Sequence, residues 1–308
     1  MAPDRRPPLS GATPLVAQTA TFSVDAVLEQ TAGELARLGL PNAVGGAHEI
    51  VAALLDVGRH WPALHGAAPA DAMLVVRALH AARRLARGMP FQYAVGRAAF
   101  RGLTLEVDER VLIPRPETEM LVELVLELTR DARGGTAIDV GTGSGAIALA
   151  LAQEGTFDRV IGTDISTDAL TVARCNAAAL AGRLHAPVEF RHGSLLGPVA
   201  GERARAIVSN PPYIAFEEAA ALPNAVRDWE PALALLSADN GLAVTRRLVR
   251  ESAARLAEGG VLALEVDARR AALVAEMVSA EAGFTHVSVR LDLAGRERYV
   301  IARRRELT

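Results

Sequence analysis

From residue 136 to residue 304 short apolar runs and amphipathic segments take turns, and that alternation limits the fold more than any other feature of the chain. "TAIDVG", "RVIGTD", "PVEFRH", "RAIVSN" and "GVLALEV" are brief, β-branched or apolar, and bounded by turn residues. Between them lie "AIALALAQ", "TDALTVARCNAAAL", "LAVTRRLVRESAARLAEGG" and "RRAALVAEMVSAEAG", which carry apolar residues at helical spacing. Strand–helix alternation of this kind predicts a parallel sheet covered by helices on both faces. The last two runs, "HVSVRLD" and "RERYVIARR", have no helix between them. They should therefore pair antiparallel.

The first third of the chain reads differently. Residues 24–88 look helical throughout and suggest a bundle of four helices, the first opening on Ser23 as an N-cap. Residues 1 to 22, rich in proline, read as a disordered tail. Alternation around "LTLEVD" and "RVLIP" predicts a β-hairpin within residues 91–115. A helix should follow from Pro116, a favoured first-turn residue, to Thr129. The expected organisation is thus a tail (1–22), an all-α domain (23–90), a hairpin linker (91–115) and an α/β domain (116–308).

Composition removes several functional classes. A net charge of −3 offers no overall basic field for bulk nucleic-acid binding. All 33 basic residues are arginine, a bias that fits a GC-rich genome. No apolar run is long enough to span a membrane, and the reading is a cytoplasmic protein. The single cysteine, Cys175, allows no internal disulfide and reads as a buried structural thiol. The seven histidines lack metal-binding spacing, so no metal site is expected.

Two features at strand ends point to a ligand. In "DVGTGSGAIALA" the glycines Gly141, Gly143 and Gly145 alternate with Thr142 and Ser144 directly between a strand and a helix. Glycines there let the backbone approach a ligand, while the helix start supplies free N–H groups. A nicotinamide cofactor, a flavin and S-adenosylmethionine all suit such a loop. The second strand ends on Asp164, where a carboxylate can accept both ribose hydroxyls of an adenosine or, alternatively, cap the helix that begins near Thr167.

The fourth strand ends in "NPPY", residues 210–213. Ligands of such sheets bind beyond the carboxyl ends of the strands. Asn210 would then share a crevice with the glycine loop. An asparagine oxygen and the carbonyl of Pro211, held stiff by Pro212, form a pair of acceptors suited to both hydrogens of a planar –NH2 group. Tyr213 can stack on the flat acceptor.

These residues resemble those of S-adenosylmethionine-dependent methyltransferases that act on planar nitrogens, a group in which N-P-P-Y is shared by adenine-N6 and protein glutamine-N5 enzymes. The stretch from Arg87 to Glu123 resembles the linker of the release-factor glutamine methyltransferases, the PrmC/HemK family. Gly88, Pro90, Tyr93 and Gly96 meet that family's G-x-P-x-x-Y-x-x-G, and Pro114 to Glu119 meet its P-R-P-E-T-E. The likeness spans roughly residues 24–303. It implies a Rossmann-like class I methyltransferase domain with a seven-stranded mixed sheet. S-adenosylmethionine would lie over Gly141–Gly145, with its ribose on Asp164. The acceptor would be the glutamine of the Gly-Gly-Gln loop of peptide-chain release factors, held by Asn210 and Pro211. Three positions depart from the family pattern. Ser194 stands where an acid is usual, Leu195 follows it near the adenine, and Asp267 replaces a glycine. An adenine-N6 nucleic-acid methyltransferase and a non-catalytic module that keeps the cofactor fold are the other readings.

Overall fold

The structure is a computed structural model that describes residues 22–306. All but the last residue of the expected tail therefore lies outside the described residues. The chain forms two compact units, Met1–Arg83 and Arg84–Thr308.

In the first unit α1 (Val24–Arg37) and α2 (Ala43–Leu55) are followed by a single helical turn, Trp61–Leu64, and by the start of α3 (Ala72–Ala86). Ser23 caps α1 by accepting from the Ala26 N–H, as its residue type predicts. One strand element does interrupt the helices: Phe22–Ser23 pairs antiparallel with Pro69–Ala70.

The second unit opens with a short helix, Phe91–Val95, and a hairpin of β1 (Arg97–Phe100) and β2 (Leu103–Glu106). Here the sequence expectation needs correction. "LTLE" pairs with the preceding "RAAF", not with "RVLIP", because Arg101–Gly102 makes a two-residue turn with Arg101 at φ 51°. Tertiary partners hold that left-handed arginine. Its N–H donates to Glu119 and its guanidinium to Glu154 and Glu123. After the hairpin comes α4 (Pro116–Thr129), starting at the predicted proline.

The rest is the sheet and its covering helices. In chain order these are β3 (Thr136–Val140), α5 (Ala146–Glu154), β4 (Arg159–Asp164), α6 (Thr167–Leu180), β5 (Val188–His192), β6 (Ala204–Ser209), α7 (Ala243–Ala253), β7 (Leu256–Glu265), α8 (Ala271–Ala280), β8 (Phe284–Leu291) and β9 (Glu297–Arg304). The seven strands lie in the order β8-β9-β7-β6-β3-β4-β5. The pairs among β7, β6, β3, β4 and β5 are parallel, and β9 is antiparallel to both β7 and β8. This is the expected seven-stranded mixed sheet. Alternate residues of one strand feed opposite cores: Ala137 and Ala206 face the layer containing α4 and α5, while Ile138 and Ile207 face the layer of α7 and α8. Seven of the nine residues of α5 are buried, so this helix is enclosed rather than amphipathic.

Two local expectations fail. α7 stops at Ala253, whereas the helical pattern ran on to Gly260. Leu256 is drawn into the sheet core beside Ala204, so the chain has left the helix before it; the positive φ of Gly259, 69°, falls inside the strand, where the pairing with β6 shifts register between Leu256 and Val261. Cys175 is exposed, not buried. The buried stripe of α6 runs through Ala169, Val172, Ala173, Asn176 and Leu180, and this leaves Cys175 off the inner face.

Candidate active site

Strand register brings the motifs together. Val140 is in register with Thr163 of β4 on one side and with Ser209 of β6 on the other. The next residue of each strand is Gly141, Asp164 or Asn210, so the three leave the sheet side by side at its carboxyl edge. β3 is also where the strand order turns back, from β4 and β5 on one flank to β6 on the other, which opens a crevice for a ligand. The crevice is a cleft of about 410 Å³ lined by residues of the glycine loop, Asp164, Ser194, Leu195 and the Asn210–Pro212 corner.

The glycine loop is built for close approach. Gly141 and Gly143 have φ of 73° and 53°, and a Cβ added to either would meet no protein atom within 4 Å. The space beside the backbone is therefore left to the cleft. Thr142 is turned inward: its hydroxyl donates to the buried Asp139 at 2.6 Å. Desolvation by burial pushes Asp139 up to about 7, against the Thr142 and Ala148 hydrogen bonds that lower it. Ser144 is buried too, and its carbonyl accepts from Asn176 Nδ2 at 2.9 Å. Asn176 also brackets the Glu106 backbone, with Oδ1 accepting from the N–H at 2.7 Å and Nδ2 donating to the C=O at 3.0 Å. One buried amide thus ties the hairpin to the loop. Composition hides this residue in an alanine-rich helix, although the inward stripe of α6 passes through it.

Asp164 does not cap α6. That role falls to Ser166, whose hydroxyl accepts from the Ala169 N–H. Asp164 instead takes the Gly143 N–H on Oδ2 and the Ser166 N–H on Oδ1, each at 2.9 Å. The carboxylate is fixed against the loop while still lining the cleft. Next to it Ile165, half exposed, contributes an apolar wall. Ser194 accepts from Arg247 Nη1 at 3.1 Å. Leu195 takes φ 48°, its carbonyl accepting the Thr163 hydroxyl. Arg247, on α7, also lines the cleft.

The Asn-Pro-Pro corner is held from behind. Asn210 Nδ2 donates to Thr118 Oγ1 at 3.0 Å, and the Thr118 hydroxyl donates to Glu265 at 2.7 Å. While Glu265 is ionised it can only accept; Thr118 has one proton and spends it there, so the threonine oxygen accepts from the asparagine nitrogen. No described residue donates to Asn210 Oδ1, which is left as an acceptor on a cleft-lining side chain. Tyr213 is half-buried, and desolvation pushes its hydroxyl up to about 12. Its carbonyl sits where only glycine is tolerated opposite: a Cβ on Gly241, whose φ is 82°, would lie 2.2 Å from it. Beyond the corner, Ile214–Ala215 pairs parallel with Leu236–Ser237. Asp267, the departure from glycine, pairs with Arg269 and Arg270. Arg270 in turn donates to the Asn240 carbonyl and to Glu218.

A family model described as "Methyltransferase small domain" matches residues 117–227. The chain is 40% identical over 279 residues to a protein of Deinococcus radiodurans named release factor glutamine methyltransferase, covering 90% of this chain and 97% of that one. A protein of the same name from Enterococcus faecalis is 42% identical, with 69% of this chain and 75% of that one covered. Among solved structures, a methyltransferase from Pyrococcus furiosus shares the fold with a TM-score of 0.50 at 19% identity, over 68% of this chain and 92% of the other. The hMettl16 catalytic domain does so with a TM-score of 0.52 at 16% identity, over 79% of this chain and 86% of the other.

Proposed function

Because this chain belongs to the release factor glutamine methyltransferase family, we propose that it transfers a methyl group from S-adenosylmethionine to the side-chain amide nitrogen of the glutamine in the Gly-Gly-Gln loop of peptide-chain release factors. The observation that carries this reading is the orientation of Asn210. With its nitrogen spent on Thr118, its oxygen is the group offered to the cleft. An acceptor paired with the Pro211 carbonyl suits the two hydrogens of a carboxamide.

The residues present fit the donor. Gly141 and Gly143 leave the backbone open to the cleft, and Asp164 is anchored where ribose hydroxyls can reach it. Ile165 and Leu195 give apolar walls for a purine, with Ser194 and Arg247 at its polar edge. The bound donor supplies a methyl carbon activated by a cationic sulfur.

An amide nitrogen is a poor nucleophile, since its lone pair is delocalised into the carbonyl. The protein's work is therefore mostly positioning. Asn210 Oδ1 and the Pro211 carbonyl accept the two N–H groups and turn the nitrogen toward the methyl carbon. Both acceptors also stabilise the positive charge that develops on that nitrogen. Tyr213 follows the cleft-lining Pro212 and would turn toward the cleft to flank the flat acceptor. The proton leaves to water.

In the same reading the helical segment of residues 23–90 docks the protein substrate, residues 91–115 link it to the catalytic part, and residues 116–308 carry the chemistry. Base sequence plays no part in recognition, and the protein works in the cytoplasm, where its substrate is. Among the described residues no helix is long and apolar enough to cross a membrane.

The test is incubation of the purified protein with release factor and S-adenosylmethionine, followed by peptide mass spectrometry. A gain of one methylene on the Gly-Gly-Gln peptide is expected. Asn210→Ala should slow the transfer by about 10²-fold or more. Methyl appearing on nucleic-acid adenine, with none on the peptide, overturns the reading.

A further inference from the structure

The hydrogen-bond chain behind the corner has a direction, and that direction can reverse. Asn210, Thr118 and Glu265 are linked in series at 3.0 and 2.7 Å. Thr118 and Glu265 are both buried, with 5% and 1% exposure, so water does not intervene. While Glu265 is ionised the threonine proton points to it, and the threonine lone pair accepts the asparagine nitrogen. Rotating the asparagine amide in that state would set its oxygen against the threonine oxygen, two acceptors face to face. When Glu265 takes a proton from solvent, it becomes the donor. Thr118 can then accept from Glu265 and give its own proton to the asparagine, whose oxygen turns inward to receive it. The NH2 group now faces the cleft and cannot accept from a carboxamide.

We propose that Thr118 and Glu265 form a proton-controlled switch that sets whether Asn210 presents an acceptor or a donor to the substrate amide. The inference rests on the reading of Asn210 as the grip for a carboxamide nitrogen. Thr118 and Glu265 act here as positioning residues, since neither lines the cleft.

The surroundings put the switch within reach of ordinary pH. Burial pushes the Glu265 carboxyl up to about 7, while the Thr118 hydroxyl and the charges of Arg298 and Arg115 hold it from rising further and Glu117 adds to the rise. The other charged or titratable groups facing it are Tyr299 on β9 and Tyr213 at the corner, both pushed up chiefly by burial, so both are neutral in this range. Asp267 is engaged by Arg269 and Arg270 and held below the usual range. Arg298 donates to the Val266 carbonyl at 3.0 Å and lies 3.6 Å from Asp292.

The test uses the full chain labelled with 15N-asparagine, with the Asn210 side-chain amide resonance identified by its loss in Asn210→Ser. In the wild type that resonance should shift with a single protonation near pH 7, the value to which Glu265 is raised. In Glu265→Gln the shift should vanish. Single-turnover methylation of a purified release factor forms the second arm. The wild-type rate should fall about tenfold per pH unit below the same midpoint, and Glu265→Gln should lose that acid limb. Thr118→Val should lower the rate about 10- to 100-fold, and Thr118→Ser should restore it. A resonance that ignores pH, or that titrates unchanged in Glu265→Gln, overturns the switch. If the resonance titrates as described but no methyl reaches the release factor, the substrate reading fails and the switch stands. If methyl is transferred with a pH profile identical in wild type and Glu265→Gln, the switch fails and the substrate reading stands.

Discussion

Replacing Asn176 with alanine removes three hydrogen bonds at once, two to the Glu106 backbone and one to the Ser144 carbonyl. The side chain is 1% exposed, so water does not substitute for it. Each such bond contributes about 1 kcal/mol net, and a buried group left unpaired costs roughly 1–3 kcal/mol more. Three such bonds with one buried partner left unpaired give a loss of about 4–6 kcal/mol, which for a unit of this size lowers Tm by roughly 8–24 °C. The effect should reach function, because the bond to Ser144 pins the glycine loop. Binding of S-adenosylhomocysteine, measured by calorimetry below the melting transition, should weaken as well. Asn176→Asp keeps the acceptor for the Glu106 N–H but turns a carboxylate toward two carbonyls, so it should be at least as damaging as alanine. Circular-dichroism melts of the three proteins decide the matter. A Tm within about 2 °C of wild type for Asn176→Ala, or an aspartate variant as stable as wild type, would refute the account of this residue as the tie between hairpin and loop.

Asp164→Ala should weaken S-adenosylhomocysteine binding by about 10²-fold, since hydrogen bonds to a charged group contribute roughly 1.5–3 kcal/mol each; Asp164→Asn should recover part of it, and equal affinity in all three proteins contradicts the ribose assignment. Glu265 has its folded value raised to about 7 from 4.5, so its contribution to stability is full below pH 4.5 and is lost as pH rises through 7. Glu265→Gln should therefore be more stable than wild type in urea at alkaline pH, by at most about 3 kcal/mol, with the gain disappearing in acid. A variant less stable at alkaline than at acidic pH, relative to wild type, has the opposite sign and counts against this. Gly241→Ala places a methyl 2.2 Å from the Tyr213 carbonyl at a φ of 82°. It should displace the corner and cut kcat well before it unfolds the protein, and unchanged kcat would show that the corner tolerates the shift.

The parts of this site legible in the sequence are those written in a few adjacent residues. Gly141–Gly145, Asp164 and Asn210–Tyr213 each sit at the end of an apolar strand, and strand order alone places them along one edge. The support behind them is not written that way. Thr118 lies 92 residues from Asn210 and 147 from Glu265, and only the pairing of β7 with β6 and the docking of α4 close those gaps. Short-range signals also misled where tertiary packing outweighed them. Cys175 and Asn176 are neighbours in an alanine-rich run whose inward face is marked only by Leu170, Val172 and Leu180. "RVLIP" has the alternation of a strand, but the Arg101–Gly102 turn had already paired "LTLE" with "RAAF".

The two-residue parallel pairing of Ile214–Ala215 with Leu236–Ser237 fastens both ends of the stretch from 216 to 235. Whatever that stretch does in between, its anchors stay put. Chain entropy charges little for added residues, with a doubling in length costing about 0.6 kcal/mol. Outside the buried Glu230 and the cleft-lining Pro231, Leu233 and Ala234, lineages can therefore lengthen or shorten the stretch while the corner keeps its alignment.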